Sequence, residues 1–208
     1  MLIPYPELCR KYGIDDVTGV LHVGSHIGEE CDWYVSSGVT RVVWIEANPD
    51  LIPVLAANVA HHGHEIIQAL VLDKVGETVT FNVTNNLQSS SVLPMKTHLI
   101  VSPDVHYVAT QQHVSTTLDE LAKTHDFSGL TFLNADVQGV EGLVLAGAEG
   151  LLAQFDHLYL EVNRDELYES CSRLPALTKW LFRRGFDLIE VQMAGNAGWG
   201  DGYWRKAR

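Results

Sequence analysis

Val20-Leu21-His22-Val23-Gly24-Ser25-His26-Ile27-Gly28-Glu29-Glu30 decides how this chain folds. A short, mostly apolar run meets a glycine, and a second glycine lies four residues on. The pattern predicts a buried strand at 20–23, a tight turn, and a helix over about 28–37 that Gly38 stops. A glycine at such a turn lacks the Cβ that would keep a ligand away from the backbone. The same glycine also serves a plain strand–helix turn. The spacing is Gly-x-x-x-Gly, without the third glycine of the dinucleotide pattern, which argues against a nicotinamide-dependent reductase as the alternative reading.

Outward from this turn, apolar strands alternate with amphipathic helices. Residues 5–12 read as an opening helix. Strands are predicted at 41–46, 65–70, 77–83, 107–114, 130–135 and 157–162, with closing strands at 187–191 and 203–205. Helices are predicted from 48–50 to about 60, over 141–152 and over 174–184, and Thr117-Leu118-Asp119-Glu120 has the form of a capping box. The alternation specifies an α/β fold with a mostly parallel sheet and helices on both faces. No repeat or linker divides the chain, so 1–208 reads as one domain, with 1–17 as an N-terminal extension. Residues 85–106, polar and Ser-rich with Pro94 and Pro103, read as a loop over a site.

The candidate site residues gather at strand ends. Glu46 closes the second strand, 22 positions after Gly24. In a βαβ unit it stands beside the first turn, where a carboxylate accepts hydrogen bonds from both hydroxyls of a ribose. Asp136 ends the strand at 130–135, and Glu161 and Asn163 emerge at the end of the next. Asp136 and Glu161 on adjacent ends can orient a hydroxyl, take a proton or hold an acceptor. No metal site is assigned to them. Glu141 either meets the acceptor or complements the dipole of the helix it opens. His26 lies within the first turn, as a cofactor contact or a base, whereas His22 points into the core. His61, His62 and His64 surround Gly63 at a helix end, where imidazoles suit the free carbonyls. Gly198, Gly200 and Gly202 read as turns, and Trp199 and Asp201 as a face and an acid for a sugar-like acceptor.

The formal net charge of −12 opposes a general role on nucleic acid, and Lys179, Arg183 and Arg184 read as one solvated helix face. No stretch has the ~18 apolar residues of a membrane span, and Met1-Leu2-Ile3-Pro4-Tyr5-Pro6 does not read as a signal peptide. Cys9, Cys31 and Cys171 are too few and scattered for a disulfide framework and fit a reducing cytoplasm. The sequence allows a homo-oligomer.

Four stretches resemble the FkbM family of S-adenosylmethionine (SAM)-dependent O-methyltransferases. Residues 23–28 are similar to its Asp-x-Gly-x-Asn-x-Gly turn, and Ile45-Glu46-Ala47-Asn48-Pro49 to its Phe-Glu-Pro-Asn-Pro segment. Residues 69–76 with Phe81 and Ser89-Ser90-Ser91 resemble its region after the third strand. Asp136-Val137-Gln138-Gly139-Val140-Glu141, followed by Leu145-Ala146-Gly147-Ala148, resembles its most specific block. The likeness covers about residues 18–192. It departs at His22, where the family has Asp, at His26 in place of Asn, and at Gln138 in place of Glu.

The resemblance implies a Rossmann-like class I methyltransferase with a seven-stranded sheet. SAM, which carries no pyrophosphate, would lie on Gly24, Ser25, His26, Gly28, Glu46, Ala47, Leu70 and Asp136. The acceptor would be a saccharide or other small molecule with a hydroxyl, held by Ser90, Glu141, Asn163, Trp199 and Asp201. Asp136, Glu161 and His26, in that order, are candidate bases. The altered first motif keeps a non-catalytic SAM-binding module as a second alternative.

Overall fold

The computed structural model describes residues 1–60 and 64–207; His61, His62 and Gly63 lie outside the described residues. Its main sheet has seven strands in the order β3-β2-β1-β7-β8-β10-β9. These are β1 (Gly19–Val23), β2 (Arg41–Glu46), β3 (Glu65–Gln68), β7 (Phe132–Ala135), β8 (His157–Asn163), β9 (Phe186–Met193) and β10 (Trp199–Lys206). The first five run parallel, and β10 lies antiparallel between β8 and β9. A second sheet of β4 (Leu70–Val71), β5 (Thr78–Thr84) and β6 (Tyr107–Thr116) has the order β4-β6-β5.

β1 is buried throughout and its residues alternate between two cores, the mark of a parallel strand covered on both faces. Leu21 and Val23 join Val43, Leu133 and Leu158 on one face, against α6 (Glu141–Ala146) and α7 (Leu174–Phe182) through Leu145 and Leu181. Val20 joins Val42, Trp44 and Phe132 on the other. There α1 (Tyr5–Tyr12), α2 (Cys31–Ser36) and α3 (Ile52–Val59) supply Leu8, Tyr34 and Leu55. Residues 1–17 are thus built into the second core, with Ile3, Tyr5, Ile14 and Val17 buried. His22 faces this core too, with its Nδ1 3.3 Å from the Tyr34 hydroxyl, which accepts a bond from Asn134 Nδ2 at 2.8 Å. Burial pushes the His22 pKa down, so the ring is neutral there.

Several boundaries differ from the sequence expectation. α2 starts at Cys31 rather than 28, because His26 and Gly28 have φ of 48° and 77°, outside the helical region. The strand expected at 65–70 breaks at Ala69 and continues as β4 in the second sheet. The helix expected at 141–152 ends at Ala146, and a 3₁₀ turn follows at Leu152–Gln154. Gly200 and Gly202 lie inside β10 rather than in turns. α5 (Leu118–Leu121) has the capping hydrogen bond its sequence suggests, from Glu120 N–H to the Thr117 side chain at 3.0 Å. His64 Nδ1 accepts a bond from Trp44 Nε1 at 3.2 Å. No helix among the described residues is long and apolar enough to cross a membrane.

Leu133 is fully buried at the centre of the first core. Leu133→Ala should therefore cost about 3 kcal/mol and lower the melting temperature by roughly 6–12 °C, measured calorimetrically.

Candidate active site at the β1–β7 edge

Strand order reverses between β1 and β7, and in such sheets the crevice beyond the strand ends is where ligands bind. Val23 pairs with Ile45 on one side and Ala135 on the other, so Glu46, Gly24 and Asp136 follow side by side. Ala135 pairs with Leu160, which brings Glu161 next to Asp136. Asp201 in turn pairs with Glu161. Register alone thus sets four acids and a glycine in one row across five strands.

Gly24, with φ of 76°, holds the crevice open. A Cβ there would stand 1.9 Å from the Asp136 carbonyl oxygen, so no other residue fits. The Glu46 carboxylate ties the turns together. Its Oε2 accepts the His26 N–H and its Oε1 the Asn48 N–H, both at 2.8 Å. Burial raises its pKa, and these bonds work the other way.

Two cavities meet at Gly24, His26, Asp136 and Gln138. The smaller, about 70 Å³, is chiefly apolar: Leu70, Leu72, Phe81 and Val140 line it, with Ala47 and Glu46 at one side. The larger, about 490 Å³, is rich in acids, and its lining includes Ser25, Glu161, Trp199 and Asp201. Segment 85–106 passes over both: Ser90 faces the smaller cavity, Ser89 and His98 the larger, and Gln88 both.

Gln138 organises the acids. Its Nε2 donates to Asp136 Oδ1 at 2.7 Å and also to Glu161 Oε2. Its Oε1 accepts the Tyr168 hydroxyl at 2.7 Å. The backbone of Gln138 is left-handed, with φ of 53°. Burial, then the charge of Asp136, pushes the Glu161 pKa well above the carboxylate range. That shift favours the protonated form of Glu161. Asp201 is pushed up to about 6, again by burial and then by Asp136. Its Oδ2 accepts the Leu2 N–H at 2.6 Å and the Tyr159 hydroxyl at 2.7 Å. His26 Nδ1 lies 2.7 Å from Glu29 Oε1, and that bond raises the imidazole pKa.

Four of the expected site residues have other surroundings than their assignment implies. Glu141 is fully buried and lines neither cavity; its Oε1 accepts the Val137 and Gly139 N–H groups at 3.2 and 3.0 Å and shapes the loop beneath Asp136. Asn163 is fully buried and likewise outside both cavities. Gly28 makes room for α3, since a Cβ there would meet Leu55 and Val59 at 2.9 and 3.0 Å. Ser90, expected against the acceptor, lies in the apolar cavity and bonds to Thr84 N–H at 3.1 Å.

The site offers what a sulfonium nucleoside needs. Ser25 Oγ is buried without a partner in the wall of the larger cavity, beside the Gly24 turn. Glu46 keeps a lone pair on each oxygen that a ribose hydroxyl could use, and apolar side chains of Leu70, Leu72, Phe81 and Val140 line the cavity beside it. Ser25, Gly24, Glu46 and Leu70 are the residues that would hold such a group.

Glu141 also makes stability depend on pH. Burial raises its folded pKa to about 8 from an ordinary 4.5. The unfolded chain loses this proton first, so stability falls as pH rises between those values and levels above them. Glu141→Gln should remove that slope, and its advantage in urea midpoint over the wild type should grow from pH 5 to pH 8.

A search of curated proteins finds no significant sequence match. Solved structures share the fold at low identity. Magnesium protoporphyrin IX methyltransferase from Synechocystis PCC 6803, with bound SAM, aligns at TM-score 0.57 and 10% identity, over 97% of this chain and 76% of that one. The Burkholderia thailandensis 1,6-didemethyltoxoflavin-N1-methyltransferase, with S-adenosylhomocysteine, aligns at 0.51 and 12%, over 99% and 77%. TrmK from M. capricolum, with the same product, aligns at 0.55 and 9%, over 97% and 67%. The model of the methyltransferase FkbM domain matches residues 22–188, from His22 in β1 into β9, and the chain belongs to that methyltransferase family.

Proposed function

We propose that this protein transfers a methyl group from SAM to a hydroxyl oxygen of a sugar, glycan or natural-product acceptor. The observation that carries this reading is the position of Asp136. It lies in the wall of both cavities, where an apolar, ribose-compatible cleft opens into an acid-rich chamber.

When bound, SAM supplies an electrophilic methyl group, so placement accounts for much of the rate. Glu46 accepts the ribose hydroxyls, and Leu70, Leu72 and Phe81 exclude water from the adenine side. Gln138 fixes Asp136 by donating to Oδ1, and Asp136 also shares a side-chain hydrogen bond with Glu161. Asp136 then takes the hydroxyl proton as the carbon–oxygen bond forms. Burial of Glu161 favours its protonated form, which lessens the negative charge at the neighbouring strand end. His26 positions the first turn through its N–H on Glu46.

The chemistry of the larger cavity favours a hydroxyl-rich, unphosphorylated acceptor. Glu29, Glu30, Asp136, Glu161 and Asp201 line it; the Met1 ammonium there is paired with Glu30 at 3.2 Å, and no Lys or Arg among the described residues lines it. Carboxyl groups accept hydrogen bonds from hydroxyls and repel phosphate. The same field disfavours nucleic acid.

Labelled SAM incubated with a glycan and metabolite extract should yield a methyl ether, identified by mass spectrometry. Asp136→Asn should lower turnover by about 10²–10⁴-fold while SAM affinity changes less than about threefold. Unchanged turnover in this variant removes Asp136 as the base.

A further inference from the structure

The lining of the larger cavity includes a histidine that no motif of the first turn or strand ends involves. His98 opens the short helix α4 (His98–Val101) and is only 6% exposed. Its Nδ1 is buried without a hydrogen-bond partner. Burial lowers its pKa, so the ring is neutral at pH 7. An unsatisfied buried polar atom costs about 1–3 kcal/mol, and an apolar side chain would fill the same space without that cost. His98 thus lies in the cavity wall with a hydrogen bond of its imidazole still unmade.

The main chain of His98 is anchored, and its ring packs on Tyr168. The His98 N–H bonds to the Leu167 carbonyl at 3.2 Å, and the His98 carbonyl accepts the Ser102 N–H at 2.8 Å. Its ring lies 5.4 Å from that of Tyr168, at 48° between planes. Tyr168 donates to Gln138, and Gln138 to Asp136, both at 2.7 Å. Two side chains thus separate His98 from the carboxylate at the cavity junction. His98 lines only the larger, acid-rich cavity and not the apolar cleft beside Glu46.

We propose that His98 is an acceptor-binding residue, whose imidazole hydrogen-bonds a second hydroxyl of the acceptor while the reacting hydroxyl lies at Asp136. The assignment rests on reading the larger cavity as the acceptor side. It makes the acceptor a polyol that presents two hydroxyls to two separate elements, the end of β7 and α4.

The test uses the full chain labelled with ¹⁵N-histidine, with His98→Gln supplying the assignment of the ring signals. S-adenosylhomocysteine is added to saturation, followed by glucose, rhamnose, trehalose or inositol at tens of millimolar. The His98 ring signals should move on addition of at least one polyol. His98→Ala should weaken binding of that polyol about tenfold or more, with S-adenosylhomocysteine affinity held within about twofold. Signals that move with S-adenosylhomocysteine and no further with any polyol would overturn the proposal. So would unchanged polyol affinity in His98→Ala. Methylation of the bound polyol from SAM is read separately; its absence counts against the transfer reaction and not against the contact.

Discussion

The site depends on one carboxylate used twice. Glu46 accepts the N–H of His26 from the turn after β1 and the N–H of Asn48 from the turn after β2. Each bond satisfies a backbone donor that the strands cannot reach, and together they hold two strand ends at a fixed separation. The first turn carries a strained residue: His26 has φ of 48°, which a side chain adopts only where its surroundings compel it. Without Glu46, the His26 N–H would lose its acceptor and the turn its reason to bend. Asp136, on the other side of Gly24, is placed by the same close packing, with its carbonyl where a Gly24 Cβ would be.

Around that frame the protein concentrates acids and then controls their charge. Asp136 raises the pKa of Glu141, Glu161 and Asp201, in each case behind burial. Like charges at strand ends a few ångströms apart cannot all ionise in a buried site. The outcome is a division of roles: Glu161 biased toward its protonated form, Asp201 pushed up to about 6 and engaged by Leu2 and Tyr159, and Asp136 held by Gln138. Gln138 in place of a glutamate fits this arrangement, because an amide donates to two carboxyl groups where a further acid would repel them.

The sequence was informative wherever the signal was local. The apolar run before Gly24, the Glu46 spacing and the cap at Thr117 each depend on a few neighbours, and the structure has them in place. It was misleading where a residue's use depends on distant chain. Glu141 and Asn163 sit among strand-end acids in sequence, yet packing buries both outside the cavities. Asp201 aligns with Glu161 only because β10 inserts between β8 and β9, a pairing that no spacing reveals. His98 lay inside a polar stretch read as loop, and its partnerless nitrogen is a property of burial rather than of pattern. The turns at His26 and Gln138 could not be found by propensity, since neither residue type favours positive φ as glycine does.

The central claim is that the Gly24 crevice seats a sulfonium nucleoside with its ribose on Glu46. Calorimetric titration with S-adenosylhomocysteine and with NAD⁺, on the wild type and on Glu46→Gln, tests it most directly. The account predicts one S-adenosylhomocysteine per chain, no measurable NAD⁺ binding, and affinity at least about tenfold weaker in Glu46→Gln. NAD⁺ binding as tight as S-adenosylhomocysteine, or full affinity retained by Glu46→Gln, would contradict it.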